Sequence, residues 1–307
     1  MVSRLRSLES YRVNAFHAHC RIIQMQFLEP WVKSLLNESA MRTNALSEKW
    51  SKKNIGAIII DDRATPQLRA TVLNTLLMGW GRWKITIYTT SKSMKAMKTL
   101  FNDLEQLVNI ECLDQTFSDF GWNGYNQLLK NPDFWHSLDH KKVLIFQTDT
   151  LMIKPVDYEY FNYDYIGSPW VKNRYESQSF PKYSHTLDRI EAATESRVYC
   201  TTVPDGLING NGGLSIRDPK VMAEICIKNA NKSPADEAED IFFSKHIHSH
   251  SDAIAPALVV ENFSCETEYR DTCGAHAAWR YIDARDCAAL YEEHCKQVMA
   301  IVDAIST

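Results

Sequence analysis

Short apolar runs alternate with segments of helical period over most of the chain. The apolar runs that are too short to be helices lie at residues 55–60 (IGAIII), 83–89 (WKITIYT), 108–113 and 143–146 (VLIF). Between them, apolar residues recur three or four positions apart after Thr65 and after Ser93, which is the spacing of one helical face. Such alternation is typical of βαβ units, so the pattern predicts an α/β fold with a mostly parallel central sheet.

Two of the predicted helices begin with clear capping signals. In Thr65-Pro66 and in Asp218-Pro219, a residue type that caps helices precedes a proline at the first helical position. Both helices should therefore start at their proline. The remaining pattern predicts helical segments around 122–138, an extended segment at 163–167, a glycine-rich turn and strand at 209–217, and a helix over 236–248.

Amphipathic helices are predicted at both ends of the chain. Near the N-terminus, apolar side chains repeat at helical spacing, at Leu5, Leu8, Phe16, Cys20, Ile23, Phe27 and Trp31. A polar stretch at 43–54 separates them from the first strand, and the last 25 residues form a second amphipathic pattern. We therefore predict an N-terminal helical arm (1–53), a single central domain (54–282) and a C-terminal helix (283–307).

The composition of the chain excludes several classes of protein. Of its 307 residues 45% are hydrophobic and 23% charged, with 11 glycines and 10 prolines, so the chain is globular rather than disordered or of low complexity. Its eight cysteines form no CxxC pair, which favours reduced thiols. It shows neither a signal peptide nor an apolar run long enough to span a membrane. We therefore expect a soluble, cytoplasmic protein.

Charge is distributed unevenly along the chain. The net charge is −4, yet residues 1–53 contain nine lysines and arginines against four acidic residues. This basic arm is either a surface that contacts something acidic or the solvated face of a helix.

Polar residues follow two of the predicted strands directly. Asp61-Asp62-Arg63 comes after the first strand, and Gln147-Thr148-Asp149-Thr150 comes after the strand at 143–146. In an open α/β sheet, ligands bind beyond the carboxyl ends of the strands. A carboxylate there suits a hard divalent cation that neutralises a diphosphate, which makes Asp149 a candidate ligand. The alternative is an aspartate that caps a helix or turn.

Three later stretches are unlike ordinary core or surface sequence. Residues 209–217 (NGNGGLSIR) hold three glycines in five positions, which suits either a loop whose backbone approaches a ligand or a tight hairpin turn. Residues 239–243 (EDIFF) set two acids before apolar residues near a predicted helix start. Residues 274–279 (GAHAAW) place His276 between a glycine and a tryptophan. All three stretches are candidates for contacts with a ligand.

The order of these motifs carries a family resemblance. FQTD (146–149), YDYIGSPW (163–170), NGNGGLSIR, EDIFF and GAHAAW together resemble a poorly characterised family of glycosyltransferase-like domains found in viruses, fungi, algae and bacteria. The resemblance covers about residues 55–282. It implies a glycosyltransferase-A fold, in which a single α/β domain binds a nucleotide-diphosphate sugar over the carboxyl edge of its sheet.

The resemblance also implies a divalent cation, Mn²⁺ or Mg²⁺. In the broader superfamily the motif at the strand end is Asp, any residue, Asp, and this chain has Gln147 in place of the first Asp. An amide offers one carbonyl oxygen but no charge, so the chain departs from the pattern where the metal binds. By the resemblance, Asp149 contacts the metal and the ribose, and His276 shares that metal. A histidine satisfied within the core is the alternative for His276.

The acidic pair Glu239-Asp240 resembles the position of the general base in inverting members of the superfamily. Such a base removes the proton of the acceptor hydroxyl as its oxygen attacks the anomeric carbon. Asp240 is our first choice and Glu239 our second. The alternative is that both acids only stabilise the start of a helix, where the helix dipole favours negative charge.

Further candidates for binding donor and acceptor come from three of these motifs and from the end of the first strand. They are Asp62 and Arg63 for the nucleoside and diphosphate, Gln147 and Thr148 beside Asp149, Asn211, Gly212 and Gly213 for the floor beneath the sugars, and Asp164 and Trp170 for the sugar or acceptor pocket. The long polar segment at 171–206 carries no motif and is expected to shape the acceptor pocket.

We therefore expect a glycosyltransferase that moves a hexosyl or pentosyl group, with inversion, from a nucleotide-sugar, with UDP-sugars favoured, to an acceptor hydroxyl on a glycan, a protein or another compound. Nothing indicates nucleic acid as a partner, although a modified base would also present a hydroxyl. The alternative is a catalytically inactive relative that serves as a binding or assembly module, in view of Gln147 and the helical extensions. A sugar nucleotidyltransferase would need a glycine-rich basic phosphate loop near the N-terminus, and the sequence has none.

Overall fold

The computed structural model describes residues 2–37, 54–79, 83–113, 121–171, 207–234, 237–266 and 268–306. Within these ranges the strands are β1 (Ile55–Ile60), β2 (Ile85–Thr89), β3 (Val108–Cys112), β4 (Lys142–Phe146), β5 (Thr150–Met152), β6 (Tyr165–Val171), β7 (Leu207–Arg217), β8 (Ser264–Cys265) and β9 (Gly274–His276). The α-helices are α1 (Val2–Ile23), α2 (Glu29–Asn37), α3 (Pro66–Met78), α4 (Met94–Leu100), α5 (Trp122–Leu129), α6 (Pro132–His136), α7 (Pro219–Asn229), α8 (Glu239–His246), α9 (Ala257–Phe263), α10 (Ala278–Tyr281) and α11 (Ala284–Ser306).

The central sheet has six strands in the order β3-β2-β1-β4-β7-β6. The first four strands are parallel, whereas β7 is antiparallel to β4 and β6 is antiparallel to β7. Ile58, Ile59 and Leu144 are fully buried, as expected of central strands covered by helices on both faces. The predicted α/β fold with a mostly parallel central sheet and helices at its flanks is confirmed.

A second, small sheet was not predicted from the sequence. Its order is β5-β9-β8, with β9 antiparallel to β5 and parallel to β8. The register pairs Thr150 with His276 and Met152 with Gly274. This sheet therefore brings a late segment of the chain to the carboxyl end of β4.

The two predicted helix starts are confirmed by their caps. The Thr65 hydroxyl accepts a hydrogen bond from the Leu68 amide at 3.2 Å, one turn into α3. The Asp218 carboxylate accepts from the amides of Lys220 at 2.9 Å and Val221 at 3.2 Å, at the start of α7. In both cases a side-chain oxygen satisfies N–H groups that the helix itself leaves unpaired.

The glycine-rich segment differs from its prediction. Residues 209–217 are part of the 11-residue strand β7 and not a turn followed by a strand. Its register against β6 shifts at this point, since Ile166 pairs with Ile216 but Ser168 pairs with Asn211. The glycines therefore lie in an irregular, bulged part of a strand, a common use of glycine inside sheets.

The two terminal helical segments pack against the central domain. A π-helical stretch, Gln24–Leu28, joins α1 to α2, and α1 contacts α3, α10 and α11. The boundaries at 53/54 and 282/283 remain predictions, and most of the polar stretch at 43–54 lies outside the described residues. No helix in the described ranges is both long and apolar enough to cross a membrane.

A buried chain of polar side chains joins the two terminal helices to the domain. His19 Nε2 lies 2.8 Å from His294 Nδ1, and His294 Nε2 lies 3.0 Å from the Asn74 amide nitrogen. Asn74 in turn makes two hydrogen bonds with the backbone of Met152, at 2.8 and 3.0 Å. Burial lowers the pKa of His19 to about 4 and holds the pKa of His294 well below its usual value. Both imidazoles are therefore neutral at pH 7.

This histidine pair predicts a loss of stability in mild acid. In the unfolded chain both histidines have a pKa near 6.5 and bind protons sooner, so the free energy of unfolding falls as the pH drops from about 6.5 towards 4. We expect a loss on the order of 1–2 kcal/mol per histidine between pH 7 and pH 5. Urea unfolding of the wild type and of the double variant His19→Gln, His294→Gln at both pH values measures it. An equal pH dependence in the two proteins would contradict this assignment.

Candidate functional site

The carboxyl end of β4 and the end of β9 form one polar cluster. Because Thr150 pairs with His276, the imidazole lies beside the residues that follow β4. His276 Nε2 is 3.2 Å from Asp149 Oδ1 and 3.2 Å from Gln147 Oε1. The Ala277 amide also donates to the Asp149 carbonyl at 3.1 Å, which ties the two segments together. The structure thus brings His276 to Gln147 and Asp149, which belong to a different motif of the sequence.

A buried glutamate that the sequence analysis missed supports the histidine from its other side. Glu266 Oε1 is 3.3 Å from His276 Nδ1 and accepts a hydrogen bond of 2.7 Å from the Asn211 amide group. Its other carboxylate oxygen, Oε2, is buried and has no hydrogen-bond partner among the described residues. Glu266 follows β8, and only the pairing of β8 with β9 shows that it faces His276. The sequence carries no local signal of this role.

The charges around His276 favour its protonated form. Burial alone lowers the pKa of an imidazole, but Asp149 and then Glu266 outweigh it and raise the pKa of His276 to about 10. Burial likewise raises the pKa of Asp149, but His276 outweighs it and holds that pKa below its usual value. At neutral pH, and with no other cation beside it, His276 is therefore an imidazolium held between two carboxylates.

The glycines of β7 make room for this cluster. A Cβ atom on Gly213 would collide with the imidazole ring of His276. The Gly213 amide donates to Asn211 Oδ1 at 2.8 Å, and its carbonyl accepts from the Thr150 hydroxyl at 2.9 Å. Asn211 and Gly213 thus line the same cluster as His276, and position 213 tolerates no side chain.

The two adjacent acids of α8 have different surroundings. Glu239 is buried and forms a bidentate ion pair with Arg217, at 2.5 and 3.0 Å. The guanidinium of Arg217 is fully buried among the rings of Trp135, Tyr165 and Phe243, at 5.1–5.8 Å from their centroids. A Cβ on Gly212 would collide with this ion pair. Glu239 is therefore committed to a structural ion pair and does not face open space.

Asp240 lies on the other side of the helix start and is half-buried. Its Oδ2 accepts from the Gly212 amide at 3.3 Å, and its Oδ1 accepts from the Ile241 amide at 2.8 Å. Burial and the negative charges of Glu239 and Glu266 raise the pKa of Asp240 to about 7. A carboxyl group with this pKa exchanges protons readily at neutral pH, as a general base must.

The residues that follow β1 lie at the same edge of the sheet. The guanidinium of Arg63 binds both oxygens of Asp61, at 3.0 and 2.8 Å. Asp61, and more weakly Asp62 and Asp149, raise the pKa of Arg63, so the end of β1 is electrostatically coupled to the end of β4. The Thr148 carbonyl accepts from side chains of α3, Thr71 at 3.0 Å and Gln67 at 3.1 Å.

One predicted site residue, Asp164, is not brought to this cluster. Asp164 lies at the amino end of β4, where it pairs with Lys142 at 2.5 Å and accepts from Ser251 at 2.6 Å. This is the edge of the sheet opposite Gln147. Trp170 belongs to β6, but its side chain lies outside the described residues, as do residues 172–206.

The chemistry of the cluster can be compared with the needs of a divalent cation. Bonds of about 2.1 Å place adjacent ligands of an octahedral cation about 3 Å apart, close to the 3.2 Å between Asp149 Oδ1 and His276 Nε2. With Gln147 Oε1, the donor set suits Mn²⁺ or Mg²⁺. The described residues contain no group of three His, Cys, Asp or Glu side chains that could hold a metal. The residues therefore fit a cation only as an open site that other oxygen ligands complete.

The sequence also matches a family model. Residues 108–278, more than half of the chain, match the family described as a protein of unknown function, DUF5672. No curated protein matches the chain.

Several solved structures are similar to the described fold at low sequence identity. Mouse xyloside xylosyltransferase 1 in its apo form is 11% identical, covers 78% of this chain and 93% of its own, and has a TM-score of 0.42. The galactosyltransferase LgtC, in complex with donor and acceptor sugar analogues, is 11% identical. The match covers 82% of this chain and 96% of LgtC, with a TM-score of 0.46. The inositol-1-phosphate CTP transferase from T. maritima is 9% identical. The match covers 78% of this chain and 95% of that protein, with a TM-score of 0.42. At these identities the likenesses concern the fold alone.

The cluster predicts how the pKa of His276 responds to its two carboxylates. Glu266→Gln should lower that pKa towards 6.5, and Asp149→Asn should lower it further, because Asp149 contributes more to the imidazolium. An NMR titration of the imidazole carbons measures both values. Glu268→Gln is the matched control, since it removes the same charge two residues away from Glu266. An unchanged His276 titration in Glu266→Gln would rule out the contact with Glu266.

Proposed function

The chain belongs to the DUF5672 family, whose function is unknown, and we propose that it transfers a sugar from a nucleotide-diphosphate donor to an acceptor hydroxyl. Transfer occurs with inversion at the anomeric carbon and with the help of a divalent cation. The observation that carries this proposal is the grouping of Arg63, Asp149, His276 and Asp240 at the carboxyl edge of the sheet. Ligands of open α/β folds bind at this edge.

One side of the site suits the diphosphate of the donor. Arg63 supplies positive charge near Asp149, since that carboxylate contributes to raising the pKa of Arg63. Arg280, four residues after His276, lies close enough for its charge to help lower the pKa of Asp149. Cations around a leaving diphosphate stabilise the charge that develops on it. We expect a UDP-sugar as donor.

Asp149, His276 and the Gln147 carbonyl oxygen would hold a divalent cation in this site. When bound, such a cation would neutralise part of the charge on the departing diphosphate. His276 must be neutral to act as a ligand, so cation binding would release its proton and would be favoured by higher pH. Glu266 supports His276 through Nδ1, which leaves Nε2 facing Asp149.

Asp240 is the general base of the proposed reaction. Its carboxylate takes the proton of the acceptor hydroxyl as that oxygen forms a bond to the anomeric carbon, while the bond from this carbon to the diphosphate breaks and its electron pair leaves with the diphosphate. The Gly212 amide holds one oxygen of Asp240 in place. Glu239 keeps its position in the ion pair with Arg217 and raises the proton affinity of Asp240.

A second candidate function is a binding module without catalysis. Gln147 favours it, because the amide brings no negative charge to the cation. The two functions differ in one measurement: a module binds the nucleotide-sugar but neither hydrolyses nor transfers it in the presence of Mn²⁺. A set of UDP-, GDP-, CMP- and TDP-sugars, each with and without Mn²⁺, covers the choice of donor.

We predict that Asp240→Asn slows sugar transfer by a factor of about 10² to 10⁴, because the amide keeps the size of the side chain but cannot accept the proton. Donor affinity should stay nearly unchanged. Transfer rates and the donor Kd, measured on the same protein, separate the two effects. Wild-type transfer by this variant would place the base elsewhere, and a product that retains the donor's anomeric configuration would remove the need for one.

Glu239→Gln serves as the contrasting variant. It removes one partner of a buried ion pair and leaves the Arg217 guanidinium without its counter-charge, which typically costs about 3–5 kcal/mol of stability. We therefore expect a lower melting temperature for Glu239→Gln and a nearly normal one for Asp240→Asn. Equal melting temperatures would show that the Arg217–Glu239 pair contributes little to the fold.

The cation is tested by single replacements of its two strongest ligands. Asp149→Ala and His276→Ala should each abolish the stabilisation that Mn²⁺ adds to the nucleotide complex, as measured by thermal shift with and without EDTA. Gln147→Asp should strengthen Mn²⁺ binding, because it adds a full negative charge. If neither alanine variant changes the response to Mn²⁺, no cation binds at this position.

A further inference from the structure

A cavity of about 370 Å³ lies between the N-terminal helix and the start of α3. Its lining includes the strand-end residue Thr148, so the cavity adjoins the candidate donor site. It is lined by His17, Arg21, Gln24, Arg63, Thr65, Pro66, Gln67, Ala70 and Thr148. The volume falls within the range of small-molecule sites in proteins.

The chemistry of this lining favours an anion. Arg21 and Arg63 contribute two guanidinium groups, and no aspartate or glutamate is among the residues that line the cavity. The first turn of α3 also lines it, and the N-terminal end of a helix carries partial positive charge. Two guanidinium groups beside a helix start form the kind of surface that binds phosphate.

Arg21 is the cation that the fold leaves available. Arg63 already binds both oxygens of Asp61, so part of its charge is neutralised. In the described ranges the guanidinium of Arg21 has neither a hydrogen bond nor an ion pair, although α1 holds it beside the cavity. At the start of α3, Pro66 has no N–H and the Leu68 amide donates to Thr65. The backbone N–H of Gln67 is therefore the first N–H of this helix that a ligand could use.

We propose that this cavity binds a phosphate group of the substrate, with Arg21 of the N-terminal helix as its main charged contact. The proposal rests on the proposed function for the identity of the substrate, but phosphate binding itself does not depend on sugar transfer. It also gives the basic N-terminal arm a role, since α1 would complete the substrate site from outside the central sheet. This role corresponds to the first of the two interpretations of that arm, contact with something acidic.

Two kinds of substrate could supply this phosphate group. It belongs either to the nucleotide donor, whose diphosphate would extend from Asp149 past Thr148, or to an acceptor that is itself a phosphorylated sugar. Both place a negatively charged phosphate group beside Arg21, and both require α1 in its described position.

Inorganic phosphate is the first probe, measured by isothermal titration calorimetry on the full chain at constant ionic strength, without metal or sugar. Arg21→Ala should weaken phosphate binding about ten-fold, because one charge-assisted hydrogen bond is lost. Lys33→Ala is the matched control, since it removes the same charge from an exposed position of α2. Circular dichroism and melting temperature should be unchanged in both variants.

Three results would overturn the proposal: no phosphate binding by the wild type, equal affinities in the wild type and Arg21→Ala, or equal losses in Arg21→Ala and Lys33→Ala. The source of the phosphate follows from the same variant with UDP and with a hexose phosphate. A loss of UDP affinity identifies the donor, and a loss of hexose phosphate affinity alone identifies the acceptor. A protein that binds phosphate through Arg21 but transfers no sugar would contradict the proposed function and not this cavity.

Discussion

The antiparallel pairing of β5 with β9 is the constraint on which the site depends. Its three residue pairs hold His276 against Asp149 across more than a hundred residues of chain. Two glycines allow this close approach, because a Cβ on Gly213 would collide with the imidazole and one on Gly274 would force the Leu214 side chain to shift. A shift of one residue in the register between β5 and β9 would turn His276 to the other face of the small sheet, away from Asp149.

Glu266 links the electrostatics of His276 to those of Asp240. Glu266 raises the pKa of His276 on one side and the pKa of Asp240 on the other. Removing the negative charge of Glu266 should therefore lower the pKa of His276 and the pKa of Asp240 together. The fully buried Arg217 offsets part of this negative charge by pairing with Glu239. Replacing one partner of such a pair usually costs more than the pair itself contributes, so the ion pair is better viewed as a constraint on geometry than as a source of stability.

The sequence predicts a structural feature correctly where neighbouring residues alone determine that feature. Thr65-Pro66 and Asp218-Pro219 marked their helix starts correctly, because an N-cap needs only neighbouring residues. The sheet β5-β9-β8 escaped prediction because strands of two or three residues have no measurable period. Asp164 was expected at the site, but β6 runs parallel to β4, so the residue before β6 lies at the amino edge beside Lys142. Glu239 and Asp240 look alike in sequence, and only the rotation of about 100° per helical residue separates their surroundings.

The most direct measurement is a crystal structure of the protein with UDP and Mn²⁺. A nucleotide-sugar site at the carboxyl edge of the sheet predicts a diphosphate between Arg63 and His276, Mn²⁺ in contact with Asp149 and His276, and the carboxylate of Asp240 facing the open side of the diphosphate. The contradicting result is a nucleotide bound elsewhere on the chain, with His276 still held between Asp149 and Glu266 and no cation beside it.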